Sequence, residues 1–475
     1  MLLPRGFHWF VSPIQMSAVG LGLLFAFSAV ARAQIVPSRD DRVGVCTHFA
    51  QSWSVPQVMP LVANSGVGWI RDDLPWAELE PTPGNYAIPA KTLGWIQAAR
   101  QAGLKMVVIL GYGNPAYADP YDVTAYANAA EWLARALGDN VQALEILNEP
   151  NNFGFRDLYG GAWNGNEPDG SVSPWIQRYV QLLNAAARKI KLANPLMKVI
   201  GLGAPPPADF RMIALGLVPQ VGGLTDHPYG GSLPELVPYP ATPSTIQRDG
   251  IATADINGTF SSQVSMFRTQ ARKWGATEQL WHTEWGYSTV QPQAGSPGLT
   301  EPTQAVYTLR RLLESHANGV EHTFIYDFKD EGVDPYAEYD NFGLIHNDLS
   351  PKLAYGALQR VTGLLTGTVI AASTKQASIE NDPGSPDGLG NRCHTFSSSD
   401  QQTIVVAFWT AKSWDPSATP QKAVIDVPLA LTPGHVFLYD LLSGSKTEVP
   451  WQNRPNAGIS VAVSISASPQ LLMVR

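Results

Sequence analysis

The sequence predicts an α/β protein: a closed (β/α)8 TIM barrel followed by a small C-terminal β-sandwich. Three observations carry this. Eight short, β-rich apolar runs recur from Val43 onward, on average about 40 residues apart. Helix-like stretches fill the gaps, and strands separated by helices pair in parallel; eight such units make a barrel rather than an open doubly wound sheet. After about residue 365 the helical period stops. Alternating runs divided by Gly, Pro and Ser clusters follow, which is the pattern of antiparallel strands.

In chain order, the first 33 residues read as an export signal. Arg5 is the sole charge before Arg32, the apolar run Val19–Val30 has 12 residues, and Ala31-Arg32-Ala33 is a small-x-small cleavage site. A run this short does not span a bilayer comfortably. An exported chain, periplasmic or extracellular and without a stable membrane span, is therefore expected; an uncleaved anchor is the alternative. The strand candidates are Val43–Cys46, Val67–Ile70, Lys105–Leu110, Ala143–Leu147, Lys198–Gly201, Gly223–Thr225, Gln279–His282 and His322–Tyr326. Between them lie helix-like stretches such as Thr92–Ala102, Asp122–Leu137, Trp175–Ala193, Phe260–Lys273 and Thr303–Ala317. These place the barrel in residues 34–365. Thr403–Trp409, Ala423–Val427, His435–Tyr439 and Ile459–Ile465 place the sandwich in residues 366–475. The junction around Thr362-Gly363-Leu364-Leu365-Thr366-Gly367 is short and apolar, which favours a sandwich packed on the barrel over a tethered sugar-binding module. Trp409, Trp414 and Trp451 keep the binding-module reading open.

Composition excludes several classes. Apolar residues make up 44% of the chain and charged residues 15%, enough apolar material for a large core and too much for disorder. A net charge of −8 argues against nucleic acid as a partner. The 14 Trp residues suit sugar-stacking surfaces and core filling alike. Cys46 and Cys393 are far apart in the chain, and free thiols are expected. No His-Glu-x-x-His, CxxC, GxxxxGK[ST], GxGxxG or GxSxG string is present, so zinc, nucleotide and serine-elbow chemistry have no support. Asn164–Gly170 reads as a turn, since Pro168 interrupts what would be a calcium loop. No metal and no cofactor are expected, and the chain is expected to act as a monomer.

In a β/α barrel the chemistry sits at the C-terminal ends of the strands. The fourth run leads into Asn148-Glu149-Pro150 and the seventh into Thr283-Glu284-Trp285. Two glutamates therefore flank the barrel mouth. Glycosidic cleavage needs such a pair: one carboxyl protonates the leaving oxygen, the other attacks the anomeric carbon or activates water. Two ion-paired rim carboxylates would give the same pattern. Glu145 lies four residues before Glu149 on the same strand face, deep in the barrel, where a bare charge is expensive. Arg71, near the end of the second strand, is the natural partner for Glu145 or Glu284, and a guanidinium there would keep Glu284 ionised. Tyr112, Trp163 and Trp285 could stack on sugar faces or pack in the rim.

Asn148-Glu149-Pro150 after a strand, with a glutamate in an aromatic-rich seventh strand, resembles the clan of retaining glycosidases built on β/α barrels. Further strings are most similar to family 39 of that clan and its bacterial exopolysaccharide (Psl-type biofilm matrix) endoglycosidases. These are Gly68-Trp69-Ile70-Arg71-Asp72 running through Trp76 and Glu80-Pro81 to Gly84-Asn85-Tyr86, then Glu145–Asn151, and Asn341-Phe342-Gly343-Leu344 running to Ser350-Pro351-Lys352. The resemblance covers about residues 42–360 and implies Glu149 as acid/base and Glu284 as nucleophile. It further implies Arg71, Asn148, His227, Tyr229, Trp285 and Tyr326 as substrate-binding residues, Asn148 through the sugar 2-hydroxyl. Many members place Trp on strand eight where this chain has Tyr326-Asp327-Phe328. The expected substrate is a poly- or oligosaccharide. Two rival readings use the same residues: a carbohydrate-binding pseudoenzyme and a retaining transglycosylase.

Overall fold

A computed structural model describes residues 39–475, apart from 231, 294–297, 383, 385–388, 401, 431 and 455–457. The expected export signal, 1–33, lies outside the described residues. Eight parallel strands close the barrel in sequence order: β1 (Asp40–Cys46), β2 (Val67–Pro75), β3 (Lys105–Gly111), β4 (Ala143–Ile146), β5 (Lys198–Leu202), β6 (Gly223–Asp226), β7 (Leu280–Trp285) and β8 (His322–Ile325). Each matches an apolar run in the sequence. β2 and β7 extend well past their runs; β2 takes Arg71-Asp72-Asp73 into the sheet with all three side chains buried, and β7 takes in Thr283-Glu284-Trp285.

One long helix follows each strand: α1 (Val55–Asn64), α2 (Ala90–Gln101), α3 (Val123–Leu137), α4 (Pro174–Ala193), α5 (Pro206–Leu215), α6 (Phe260–Trp274), α7 (Glu301–Ala317) and α8 (Leu353–Leu365). Local sequence sets their ends. Asp122 caps α3 by accepting from the Ala125 amide at 2.8 Å, and Thr300 caps α7 by accepting from Thr303 N. Pro174 opens α4, where its missing N–H has no partner to lose. Trp175, Tyr179, Leu183, Ala186 and Ile190 then bury one helical stripe of α4 against the barrel. Among the described residues no helix is long and apolar enough to cross a membrane.

The barrel interior has two layers. Trp69, Trp281, Phe324, Val107, Ala143 and Ile200 form an apolar plug. Trp69 meets Trp281 edge to face at 5.5 Å, and Trp281 stacks on Phe324 at 6.4 Å. Gly44 and Gly223 make room for it: a Cβ would lie 2.4 Å from the Phe324 ring at Gly44 and 2.9 Å from the Trp281 indole nitrogen at Gly223. The charged layer described below sits on this plug.

The C-terminal strands are β9 (Thr368–Ile370), β10 (Ser378–Ile379), β11 (Asn391–Ser398), β12 (Ile404–Thr410), β13 (Gln421–Val427), β14 (Val436–Asp440), β15 (Lys446–Glu448), β16 (Gln452–Asn453), β17 (Ile459–Ile465) and β18 (Gln470–Val474). They form two sheets, β10-β13-β17-β16 and β15-β14-β18-β12-β11-β9. One face of the larger sheet, including Phe396, Val405, Ala407, Trp409 and Leu471, joins the same apolar core as the barrel helices. Fully buried Arg310 on α7 makes a two-pronged pair with Glu235, Nε to Oε1 at 2.8 Å and Nη2 to Oε2, while its Nη1 donates to Lys412 O at 2.7 Å. The Trp409 indole N–H donates to the same Glu235 at 2.7 Å. Arg360 of α8 donates to the carbonyls of Leu441 and Leu442.

Candidate active site

The site is built where β2, β4, β6 and β7 end. Leu147 and Glu149 both take left-handed backbone, φ 60° and 43°, so the chain leaves β4 without strict alternation. That turn brings Asn148 and Glu149 to the axis together, although a regular strand would point them apart. On β7 the pairing with β8 slips between His282 and Trp285, a bulge that aims Glu284 inward. Burial of carboxylates here is possible because donors converge on them.

Arg71 is the hub. Its Nε donates to Glu145 Oε2 at 2.5 Å, Nη1 to Glu284 Oε1 at 2.6 Å and Nη2 to Asn148 Oδ1 at 2.9 Å. Tyr229 donates its hydroxyl to Glu284 Oε2 at 3.0 Å, and His227 Nδ1 lies 3.7 Å from the same oxygen. Burial acts to raise the Glu284 carboxyl, but the His227 and Arg71 charges and the hydrogen bonds from Arg71 and Tyr229 outweigh it and hold it below the usual range. Burial also acts against the His227 cation; Glu284 and Glu149 outweigh it, and the imidazole is raised.

A second chain of hydrogen bonds runs from Arg71 to the other glutamate. Thr283 Oγ1 donates to Glu145 Oε1 at 3.0 Å, so it must accept from His227 Nε2, also 3.0 Å away. That fixes the Nε2 proton. His227 Nδ1 hydrogen-bonds Glu149 Oε1 across 2.9 Å, and Asn152 Nδ2 donates to Glu149 Oε2 at 2.8 Å. Oxygens of Glu149 and Glu284 and a ring nitrogen of His227 all lie within 4.8 Å of one another. Among the described residues, His48, Asp327 and Glu331 likewise place ligand atoms within 4.8 Å of one another. Here burial lowers His48, but its bond to Glu331 and the Asp327 charge outweigh it and raise the imidazole to about 9.

These groups face a cavity of about 790 Å³ whose lining includes Arg71, Asp73, Tyr112, Phe153, Tyr326 and Phe342 as well as both glutamates. Asp72 and Asp73 were not read as site residues. Asp72 accepts from Thr47 Oγ1, Phe49 N, Ala50 N and Asp73 N. Burial and the Asp73 charge push it up to about 7, and burial pushes Asp73 up to about 6. Thr283, Asn152, His48 and Glu331 were also missed.

The other expected residues divide. Arg71, Asn148, His227, Tyr229 and the two glutamates form one connected network, and Tyr326 lines the cavity beside His48 and Phe342. Trp285 does not reach the cavity. It is 1% exposed and donates its indole N–H to Thr323 Oγ1 at 2.6 Å. The bulge that turns Glu284 inward turns the next residue outward, under the helices, so the expectation of a sugar contact at Trp285 is corrected. Trp163 packs on Tyr239 and Arg248, outside the lining. Both cysteines are free; Cys46 sits below the site, its Sγ 3.9 Å from Arg71 Nη1.

The fold is similar to that of several solved β/α-barrel glycoside hydrolases. A family 39 glycoside hydrolase from the gut symbiont Bacteroides cellulosilyticus WH2 matches with a TM-score of 0.68 at 22% identity, over 92% of this chain and 81% of its own. A glucosidase from Croceicoccus marinus matches at TM-score 0.58 and 14% identity, over 92% and 96%. A family 30 subfamily 8 xylanase from Clostridium acetobutylicum matches at 0.54 and 15%, over 92% and 97%. At these identities the likeness is one of fold, and it meets the expectation of a family 39 type barrel at that level. No protein-family model and no curated protein matches the sequence.

Proposed function

We propose that the protein is an exported, retaining glycoside hydrolase acting on a poly- or oligosaccharide, with Glu284 as nucleophile and Glu149 as acid/base. One observation carries the reading: two carboxyl groups at opposite strand ends approach within 4.8 Å, held by unlike partners. A retaining pair sits about 5–5.5 Å apart and an inverting pair about 6.5–9.5 Å, which leaves room for a water. Glu284 meets what a nucleophile needs, an ionised carboxylate with Arg71, Tyr229 and His227 around it. Glu149 meets what an acid/base needs, a hydrogen bond to the titratable His227 and an edge facing the cleft.

In the first step a Glu284 oxygen attacks the anomeric carbon while Glu149 gives its proton to the departing glycosidic oxygen. In the second, Glu149 takes a proton from water, which displaces Glu284 from the sugar. His227 stands between the two carboxyls and can follow both charge changes, since its Nε2 proton is tied to Thr283 and its Nδ1 proton is the mobile one. Incubation with 2-fluoro glycosides followed by peptide mapping tests the assignment. The label is expected on Glu284; a label elsewhere, or products of inverted anomeric configuration, would overturn it.

A further inference from the structure

Building on the glycosidase reading, we propose that Tyr112 and Phe153 form a sugar-stacking subsite beside the reacting unit, so that the substrate is a chain of sugars and not a lone glycoside. Tyr112 follows β3 and Phe153 lies in the loop after β4, and both line the cavity that holds Glu149 and Glu284. Their rings meet edge to face, 5.5 Å apart at 75°.

Two features set this pair apart from ordinary rim packing. Both residues have left-handed backbone, φ 64° at Tyr112 and 51° at Phe153, a conformation that bulky side chains rarely adopt. Residues that take it readily stand next door in each case: Gly111 and Gly113 flank Tyr112, and Asn152 and Gly154 flank Phe153. The strained position is nonetheless held by the aromatic residue. Strain of this kind clusters at ligand-binding sites, where the bound molecule gives the geometry its use.

The second feature is exposure. Phe153 remains 55% exposed despite its contact with Tyr112, and the Tyr112 hydroxyl has no hydrogen-bond partner among the described residues. An apolar ring open to a polar cleft fits a ligand that is apolar on one face and hydroxylated at its edge, which describes a pyranose. Register with the chemistry comes from Asn152, which precedes Phe153 and donates to Glu149 Oε2 at 2.8 Å. A unit stacked on Phe153 is thereby held at a fixed distance from the acid/base.

The test reads binding apart from catalysis. The full chain, Phe153→Ala and Phe153→Trp are run in native gels containing hydroxyethyl cellulose, xylan, galactomannan or dextran, and product release from the same polymers is followed in solution. At least one polymer is expected to retard the wild type. Phe153→Ala should weaken that binding about tenfold or more, the scale of losing one aromatic anchor, and Phe153→Trp should restore it. Equal retardation of wild type and Phe153→Ala, or no retardation of the wild type by any polymer, would overturn the subsite. Retardation that depends on Phe153 without product release would leave the subsite standing and overturn the glycosidase reading instead.

Discussion

Two buried arginines, Arg310 and Arg71, each sit in an ion pair, and their surroundings differ. Arg310, between barrel and sandwich, faces a single carboxylate. Glu235 takes two of its N–H groups, Lys412 O a third, and Trp409 closes the remaining approach to Glu235. Charge is balanced and the carboxylate is enclosed. Arg71 faces two carboxylates, Glu145 and Glu284, and one of them lines a cavity. Both pairs are buried, the Arg310–Glu235 pair completely and Glu284 less so. What separates the proposed nucleophile from the structural carboxylate is the excess of negative charge over positive around it and the cavity on its open side.

The comparison breaks first at Glu284. Glu284→Gln keeps the size of the side chain and removes its charge; turnover should fall about 10⁴–10⁶-fold, as for loss of a nucleophile, with near-normal folding by circular dichroism. Residual activity within tenfold of wild type would put the nucleophile elsewhere. Glu149→Gln should cost about 10²–10⁴-fold on natural sugar leaving groups and much less on dinitrophenyl glycosides, whose leaving oxygen needs no proton. Equal losses on both kinds of substrate would contradict the acid role.

The stability side of the comparison rests on Arg310→Met. It strands Glu235 without its cation and should destabilise the fold by about 3–5 kcal/mol in denaturant titration while leaving turnover per folded molecule intact. Lost turnover in folded Arg310→Met would mean that the two ion pairs communicate.

The smallest effect is a pH dependence. His48 is raised to about 9 in the folded state, so its contribution is present in full below its unfolded value of about 6.5 and is lost as pH rises toward 9. Melting temperature should therefore decline across that window, and His48→Gln should flatten the decline. Asp72, raised to about 7, and Asp73, raised to about 6, bind protons more tightly folded than unfolded, so they lower stability as pH climbs from about 4 to 7. The His48 slope is thus separable by its higher window; an unchanged slope in His48→Gln would refute the assignment.

Much of this was legible in the sequence because apolar runs and strand-end glutamates are local signals. All eight barrel strands, both glutamates and the Arg71 partnership follow from them. The misses share a physical cause. Asp72 and Asp73 lie inside a strand, where buried charge is expensive and a strand is not read. His48 and Glu331 become neighbours only when β1 closes on β8, a contact no local pattern announces. Trp285 was misplaced because one bulged residue inverts the alternation of everything after it. In the sandwich, strands such as Asn391–Ser398 and Lys446–Glu448 are too polar or too short to stand out from loops.

The plug of Trp69, Trp281 and Phe324 has a kinetic consequence. It fills the barrel beneath the charged layer, so Glu284 is reached from the cavity above it. Under the proposed double displacement the first fragment must leave, and the second reactant must arrive, from that side while a glycosyl group waits on Glu284. Water and sugar hydroxyls then compete for the same approach. The partition between hydrolysis and sugar transfer becomes a matter of queueing, set by how long the departing fragment lingers and how concentrated the next acceptor is.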